Sequence, residues 1–399
     1  MKKFFVFVFV IVIVGLFSSC GHKNEPSTSD SGDTVALKYA KLLQIVKYNT
    51  FTEVSILNPW KQGEVLHRYL LSPHFLTNDE LGQSDATFIQ TPLNHLVVYT
   101  AAHTWLLNQL GARQNIAGVC DRSYIIAKWA RLLNDCGNAM NPDVEKIIQL
   151  NPDGLILSPF ENSGGYGKVE QLGVPVIEAA DYMETSALGR AEWMLFYGML
   201  VGKEEEAIKL FRSVENNYNS IKVQGSKFKV QGSRFKVQGS TTKGKQIVPD
   251  SKSLHPLVMV DLKQSSAWYV PAGGSTLGRM IADAGGKYAF SDDKRSGSIP
   301  FSFETMLEKN HDADIWLIKY NGSEDITLNQ LKQDFAGYTQ FEAFRSGNVY
   351  GCNTDYVPFY EEVPFHPDWL LSDYVKIFNN DNTNLRYYKK VQSGVEYDE

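Results

Sequence analysis

Residues 184–221 constrain this chain more than any other stretch, because they carry a helical apolar pattern with an alternating strand-and-helix region on either side. Leu188, Ala191, Leu195 and Met199 recur at three- and four-residue spacing. After Gly202 the pattern resumes through Ala207, Leu210, Phe211, Val214, Tyr218 and Ile221. That period marks amphipathic helix, so two helices meeting near Gly202 are expected, with Ser186 as an N-cap and Glu205 and Lys209 as an exposed pair four residues apart. A helical segment so placed reads as a connector between two α/β units.

Upstream, strands are expected over 96–99, 116–120, 154–158 and 174–178, with helices over 101–110, 124–133, 142–150 and 166–172. Downstream, strands are expected over 257–262, 315–320 and 348–351, with helices over 276–284, 303–309 and 369–378. Strands alternating with helices of this length indicate βαβ units and a mostly parallel sheet in each lobe. Short β-like runs over 42–46 and 65–71 suggest a hairpin layer ahead of the first lobe. The 399 residues suffice for two cores of ordinary size.

Lys2 and Lys3 precede fourteen apolar or glycine residues, then Ser18, Ser19 and Cys20. Fourteen is short for a membrane span, which needs about 20, and fits the apolar core of a secretory signal. The run from Leu16 to Cys20 resembles a bacterial lipoprotein cleavage site with Cys20 as the lipidated residue, although Phe17 stands where Leu is usual. Without the signal, 37 basic side chains face 45 acidic ones, a net charge of −8. That sign argues against nucleic acid as a partner and against a polybasic membrane face. Cys120, Cys136 and Cys352 remain, and export permits a Cys120–Cys136 disulfide.

The organisation expected is therefore a signal peptide over 1–19, a flexible tether over 20–34, an N-terminal α/β lobe over 35–183 and the connector over 184–221. A basic insert over 222–254, a C-terminal α/β lobe over 255–380 and a polar tail over 381–399 follow. The insert holds a near-repeat, VQGSKFK, VQGSRFK and VQGS, with no acidic residue from Asn216 to Pro249. Its period is too short for a solenoid unit, and its composition suits a loop.

Catalytic signatures are missing: the sequence contains no G-x-S-x-G, no H-E-x-x-H, no P-loop and no C-x-x-C. The eight histidines are scattered. Neither an enzyme nor a resident cofactor is expected. A weak internal correspondence is more informative, since Glu145 and Glu304 each open a helix that leads through an aspartate into a buried strand. Either carboxylate alone is explained by the positive end of its helix.

Together NPDVEKIIQLNPDGLIL, LGVPVIEA, WYVPAGGSTLGRMIADAGG and SFETMLEKNHDADIWLI, in this order, resemble the substrate-binding proteins of ABC importers whose two lobes are joined by a helix. These carry vitamin B12, ferric siderophores or haem. The resemblance spans roughly residues 40–378. It implies an α/β fold of two Rossmann-like lobes joined by a helical connector, with the ligand cleft between them. It also implies a monomer tethered by its lipid at the periplasmic face of the inner membrane, delivering a metal chelate or corrinoid to the ABC permease. Glu145 and Glu304 match the glutamates that dock on the permease.

By family position the cleft loops offer Tyr124, Phe160, Trp268, Tyr269 and Phe301, aromatic surfaces suited to a flat macrocycle or a catecholate chelate. His103 and Arg122 are weaker candidates. Siderophore, haem and cobalamin all stay open. The alternatives are a direct zinc or manganese binder of a related importer, for which the dispersed histidines are poorly suited, a membrane-tethered enzyme, and a lipoprotein serving only as a scaffold.

Overall fold

Strands with no polar face must be covered on both sides, and the chain arranges this twice. A computed structural model describes residues 32–77, 80, 85–161, 166–227 and 255–394. In the N-terminal lobe the strands Leu96–Val98, Ile116–Val119 and Gly154–Leu157 are buried along their whole length. They form a parallel sheet with Val176–Glu178 beside Gly154–Leu157 at one edge and Asn134–Asp135 beside Ile116–Val119 at the other. Helices Ala101–Gln109 and Val144–Leu150 start where Thr100 and Asp143 accept hydrogen bonds from the amides of His103 and Lys146. The helix expected over 124–133 does not form. Two 3₁₀ turns, Arg122–Tyr124 and Lys128–Leu132, stand in its place, and the intervening Ile126 amide donates to Glu361 of the other lobe instead of to a local carbonyl.

The C-terminal lobe repeats the plan. Strands Lys287–Tyr288, Leu257–Val260, Ile315–Tyr320 and Val349–Asn353 run parallel in that order, and Lys389–Lys390 closes the edge antiparallel. The last strand corrects the expected tail over 381–399. Tyr387 and Tyr388 are buried, Asp373 accepts from the amides of Arg386, Tyr387 and Tyr388, and the Arg386 guanidinium forks onto Glu362 at 2.7 Å. Arg386 also lies 3.9 Å from the centre of the Trp369 ring. A second sheet, Lys263–Gln264, Ala267–Pro271 and Ser298–Phe301, was not expected from the sequence.

The connector is three helices: Ala187–Glu192, Met194–Leu200 and Glu204–Lys227. Ser186 caps the first as expected. Gly202, at φ 67°, supplies the left-handed turn before the third. That helix continues to Lys227 and so includes the start of the repeat. Residues 228–254 lie outside the described residues, as do the signal peptide, Cys20 and the tether through residue 31.

The expected hairpin layer is a five-stranded sheet: Asp33–Thr34, Leu43–Lys47, Thr52–Leu57, Val65–Ser72 and Thr87–Gln90. It shields an open edge of the N-terminal lobe through Tyr69. This buried hydroxyl donates to the Val176 carbonyl at 3.0 Å and accepts from the Glu178 amide at 2.9 Å, the two contacts that a further strand would make.

Three buried carboxylates fasten these parts at the start of the connector. Glu192 accepts from the amides of Lys38, Tyr39 and Ala40 at 2.7 to 2.8 Å. Glu184 accepts from the amides of Lys41 and Leu42 and from the Trp193 indole, while its carbonyl receives the Thr276 hydroxyl of the C-terminal lobe. Asp181, fully buried, accepts from His103, Arg190 and Tyr197, each at 2.9 Å. One apolar core runs through the first sheet, the connector and both lobes.

Burial by itself would raise the Asp181 carboxyl, but His103 and Arg190 outweigh it and hold the group at about 2. A depressed carboxylate adds stability that is complete above its ordinary value near 4 and is lost as pH falls through about 2. Urea unfolding across that window should show the loss in the wild type. Asp181→Asn should flatten this part of the profile and cost about 3 to 5 kcal/mol at pH 7, as removal of one member of a buried charged cluster does.

Candidate ligand cleft

In a parallel α/β lobe the C-terminal ends of the strands and the N-termini of the helices preceding the strands share one end of the sheet. The loops at that end of the two lobes meet. After Ile116–Val119 the N-terminal lobe runs through Tyr124 to Ile126. After Val349–Asn353 the C-terminal lobe runs through Tyr356 into the short helix Phe359–Glu362. Glu361 of that helix accepts from the Ile126 amide at 2.5 Å and from the Ala127 amide as well. Behind this contact, His103 and Trp105 of helix Ala101–Gln109 pack on Phe365 and His366, with ring centres 5.8 and 5.4 Å apart.

This seam places Tyr124 and Tyr360, from opposite lobes, close beside one bond. Tyr124 is two residues before Ile126 and 74% exposed, and Tyr360 directly precedes Glu361 and is 59% exposed. Tyr356, in the loop leading to Tyr360, and Phe160, after Gly154–Leu157, are also exposed, and Tyr182 follows the Val176–Glu178 strand with its hydroxyl on the Pro159 carbonyl. On the C-terminal side, Asp261 and Lys319, at the ends of adjacent strands, form a mostly buried ion pair. Asn321 donates to Asp355 at 2.8 Å. The exposed side chains at these strand ends are therefore mostly aromatic, and a charge pair lies at the strand ends of the C-terminal lobe.

Of the expected cleft residues, Tyr124 and Phe160 stand exposed at N-terminal-lobe strand ends. Trp268 does not line a cleft. It is fully buried, donates from Nε1 to the Val260 carbonyl at 3.0 Å and packs on Trp316, Tyr338 and Phe341. Strand alternation decides this: Trp268 faces the main sheet, so its neighbour Tyr269 is the exposed one. Phe301 is half-buried and stacks on Phe290 at 4.3 Å, within the same lobe.

His103 is likewise a structural residue. It is 2% exposed, with Nδ1 2.6 Å from Thr100 Oγ1 and Nε2 against Asp181 and Tyr197. Arg122 braces its own loop, donating to the carbonyls of Leu133 and Arg131 and facing Asp135 at 3.4 Å. Cys120 and Cys136, the pair for which a disulfide is possible, are free thiols in this structure just past the paired ends of two strands, with Cys120 Sγ 3.8 Å from the Cys136 carbonyl. Burial pushes the Cys136 thiol up to about 11.

Glu145 and Glu304 occupy the same place in their lobes. Each is the second residue of its helix, two past the capping Asp143 or Ser302, and each is exposed. Hydrogen bonds from its own amide and from the Ser302 hydroxyl hold the Glu304 carboxyl low. Both carboxylates lie at the strand-end side of their lobes, the side of the seam.

Tyr356, Tyr360 and Glu361 were missed in the sequence reading. Family position selects Tyr124 as an aromatic in a loop after a buried strand, and the run NTDYVPFYEE after Val349–Asn353 is a loop of the same kind. Among the described residues no group of three His, Cys, Asp or Glu side chains is placed to hold a metal ion.

The second oxygen of Glu361 is buried without a partner among the described residues, and burial raises the carboxyl's affinity for a proton. Most of what this side chain contributes is the Ile126–Ala127 contact. Glu361→Ala should accelerate hydrogen exchange at those two amides at least tenfold, while amides of Gly154–Leu157 keep their protection.

Comparisons with known proteins agree with this geometry. Residues 96–227 and 236–356 match the family described as periplasmic binding protein. An uncharacterised lipoprotein of Methanocaldococcus jannaschii is 25% identical, covering 89% of this chain and 88% of its own length. Among solved structures, a periplasmic haem-binding protein from Pseudomonas aeruginosa superposes with a TM-score of 0.57 at 15% identity, over 76% of this chain and 100% of that one. The vitamin B12-binding protein BtuF of Vibrio cholerae gives 0.52 at 13% identity, over 73% and 99%. With the family matched over both lobes and the strand ends meeting across a helix-linked seam, this chain belongs to the periplasmic binding protein family, in its form with two α/β lobes joined by a helical connector.

Proposed function

We propose that the protein is the substrate-binding component of an ABC importer, anchored through lipidated Cys20 at the periplasmic face of the inner membrane. It captures a metal chelate or corrinoid between its lobes and delivers it to the permease. The observation that carries this reading is the seam at Ile126 and Glu361, where the strand-end loops of the two lobes meet, each with an exposed tyrosine, Tyr124 or Tyr360, within two residues of the bond. Exposed aromatic rings opposed across a joint can stack on a flat or aromatic cargo, each contact adding about 0.5 to 1.5 kcal/mol beyond burial. The structural likeness to proteins that bind haem and vitamin B12 supports a cargo of this kind. The lipoprotein relative supports the anchor. A bare metal ion would need convergent His and carboxylate ligands, and the seam offers aromatic rings instead.

Absorbance of the protein purified from its own cells, followed by titration with haem and cyanocobalamin, tests the cargo. One of these should bind saturably, and Tyr124→Ala or Tyr360→Ala should weaken it by about 1 to 3 kcal/mol. No change in affinity in either variant would refute the aromatic seam.

Docking is tested separately. Two carboxylates far apart on one body fix its orientation on a partner that offers a cation to each. The double variant Glu145→Ala, Glu304→Ala should keep its unfolding midpoint and its cargo affinity and lose association with the permease in a pull-down. Each single variant should lose less.

A further inference from the structure

The joint between the lobes holds a carboxylate in a setting that a proton would relieve. Glu361 is 2% exposed. Its Oε1 accepts from the Ile126 amide at 2.5 Å, the Ala127 amide adds a second bond, and Oε2 is buried with no hydrogen-bond partner among the described residues. A carboxylate has room for about four hydrogen bonds, and a buried oxygen without one keeps its desolvation cost uncompensated. That cost arises only when the joint is closed and the group is charged. Parting the loop at Ile126 from the helix Phe359–Glu362 returns both oxygens to water. Protonation removes the charge and still leaves a carbonyl oxygen to accept from the amides.

The charged groups on the surrounding elements do not supply the missing partner. Glu362, next in the helix, is itself acidic and opposes the charge, although Arg386 forks onto it at 2.7 Å. In the N-terminal lobe, Arg122 donates to the carbonyls of Arg131 and Leu133 and faces Asp135, Lys128 is exposed, and His103 lies against Asp181. In the C-terminal lobe, His366 lies against Asp368 and Lys319 against Asp261. Asp121 and Asp355, in the two loops that meet, accept from Asn138 and Asn321. Burial, aided by Glu362, outweighs the two amides and raises the carboxyl's proton affinity in the closed joint.

We propose that closing the seam at Ile126 and Glu361 is linked to proton uptake by the Glu361 carboxyl, so that acid tightens the contact between the lobes and neutral pH loosens it. A group that binds its proton more tightly in the closed joint than in the parted one shifts the equilibrium towards closure as pH falls. The stabilisation is complete below the ordinary glutamate value, near 4, and is lost as pH rises through the raised one. The step is confined to this contact, and the continuous core beneath it stays packed.

Hydrogen exchange on the full chain, from about pH 4 to about pH 8 and corrected for the pH dependence of the exchange chemistry, reads the joint directly. Protection of the Ile126 and Ala127 amides should fall at least fivefold as pH rises across that range, while amides of Gly154–Leu157 keep theirs. Glu361→Gln, which keeps an acceptor oxygen and removes the charge, should give protection that does not change with pH and that exceeds the wild type's at the upper end of the range. Carbon-13 NMR of the wild type should show the assigned Glu361 carboxyl titrating above the exposed glutamates.

Protection that stays constant or rises with pH in the wild type overturns the proposal. So does the same fall in Glu361→Gln, which would place the titrating group at His103 or His366. If Glu361→Gln fails to fold, the wild-type carboxyl decides, and a Glu361 midpoint at or below those of the exposed glutamates overturns the linkage. Neither cargo nor permease takes part in these measurements, so their outcome is independent of the importer reading.

Discussion

Removing a carboxylate from water costs several kcal/mol unless hydrogen bonds replace its hydration, and the start of the connector does this three times within twelve residues. Asp181, Glu184 and Glu192 are buried and each accepts three hydrogen bonds. Their partners define the architecture. Glu184 and Glu192 hold five consecutive backbone amides, 38–42, so the N-terminal sheet is bound to the connector through main chain that has no ladder partner at that point. Asp181 joins helix Ala101–Gln109 to the connector through His103, Arg190 and Tyr197. Through His103 and Tyr197 the cluster also abuts Phe365 of the other lobe.

A consequence follows for the cleft. Hinges are a few residues able to absorb large backbone changes, whereas here the lobes are joined by a long helix whose own side chains reach into the second lobe. Tyr218 and Lys222 bond Asp283, and Asn217 bonds Asp368. With a continuous core beneath, wide opening would expose apolar surface on both sides. The adjustable contact is the small one at Ile126 and Glu361, where a single carboxylate holds two amides with one of its oxygens unpaired.

Much of this was legible in the sequence. Strands such as Gly154–Leu157 and Ile315–Tyr320 are short apolar runs between helical periods, and a run without a polar face has only one stable place, inside a covered sheet. The connector was legible because its apolar residues keep helical spacing. The second sheet of the C-terminal lobe was not, since Lys263–Gln264 and Ser298–Phe301 are stabilised by pairing across the fold and have no strong local period. The closing strand Lys389–Lys390 looks polar in sequence and is fixed by Asp373, which receives the amides that precede it.

The candidate site divides along the same line. That Tyr124 and Phe160 stand exposed at strand ends was readable because the family resemblance set them in loops after buried strands, and such loops lie at the end of the sheet where α/β proteins bind ligands. Trp268 and His103 obey the same positional rule and are nonetheless buried. For Trp268 the face of its strand is settled only when the second sheet docks on the first, and for His103 the deciding partner, Asp181, lies 78 residues away. By itself the sequence determined the alternation of strands and helices, the two lobes and the helical link, because hydrophobic period and end-capping act over a few residues. Only the tertiary structure decided which aromatics face the seam, that Glu361 closes it and that one Glu361 oxygen stays unpaired, because burial and hydrogen-bond pairing depend on residues that meet only after folding.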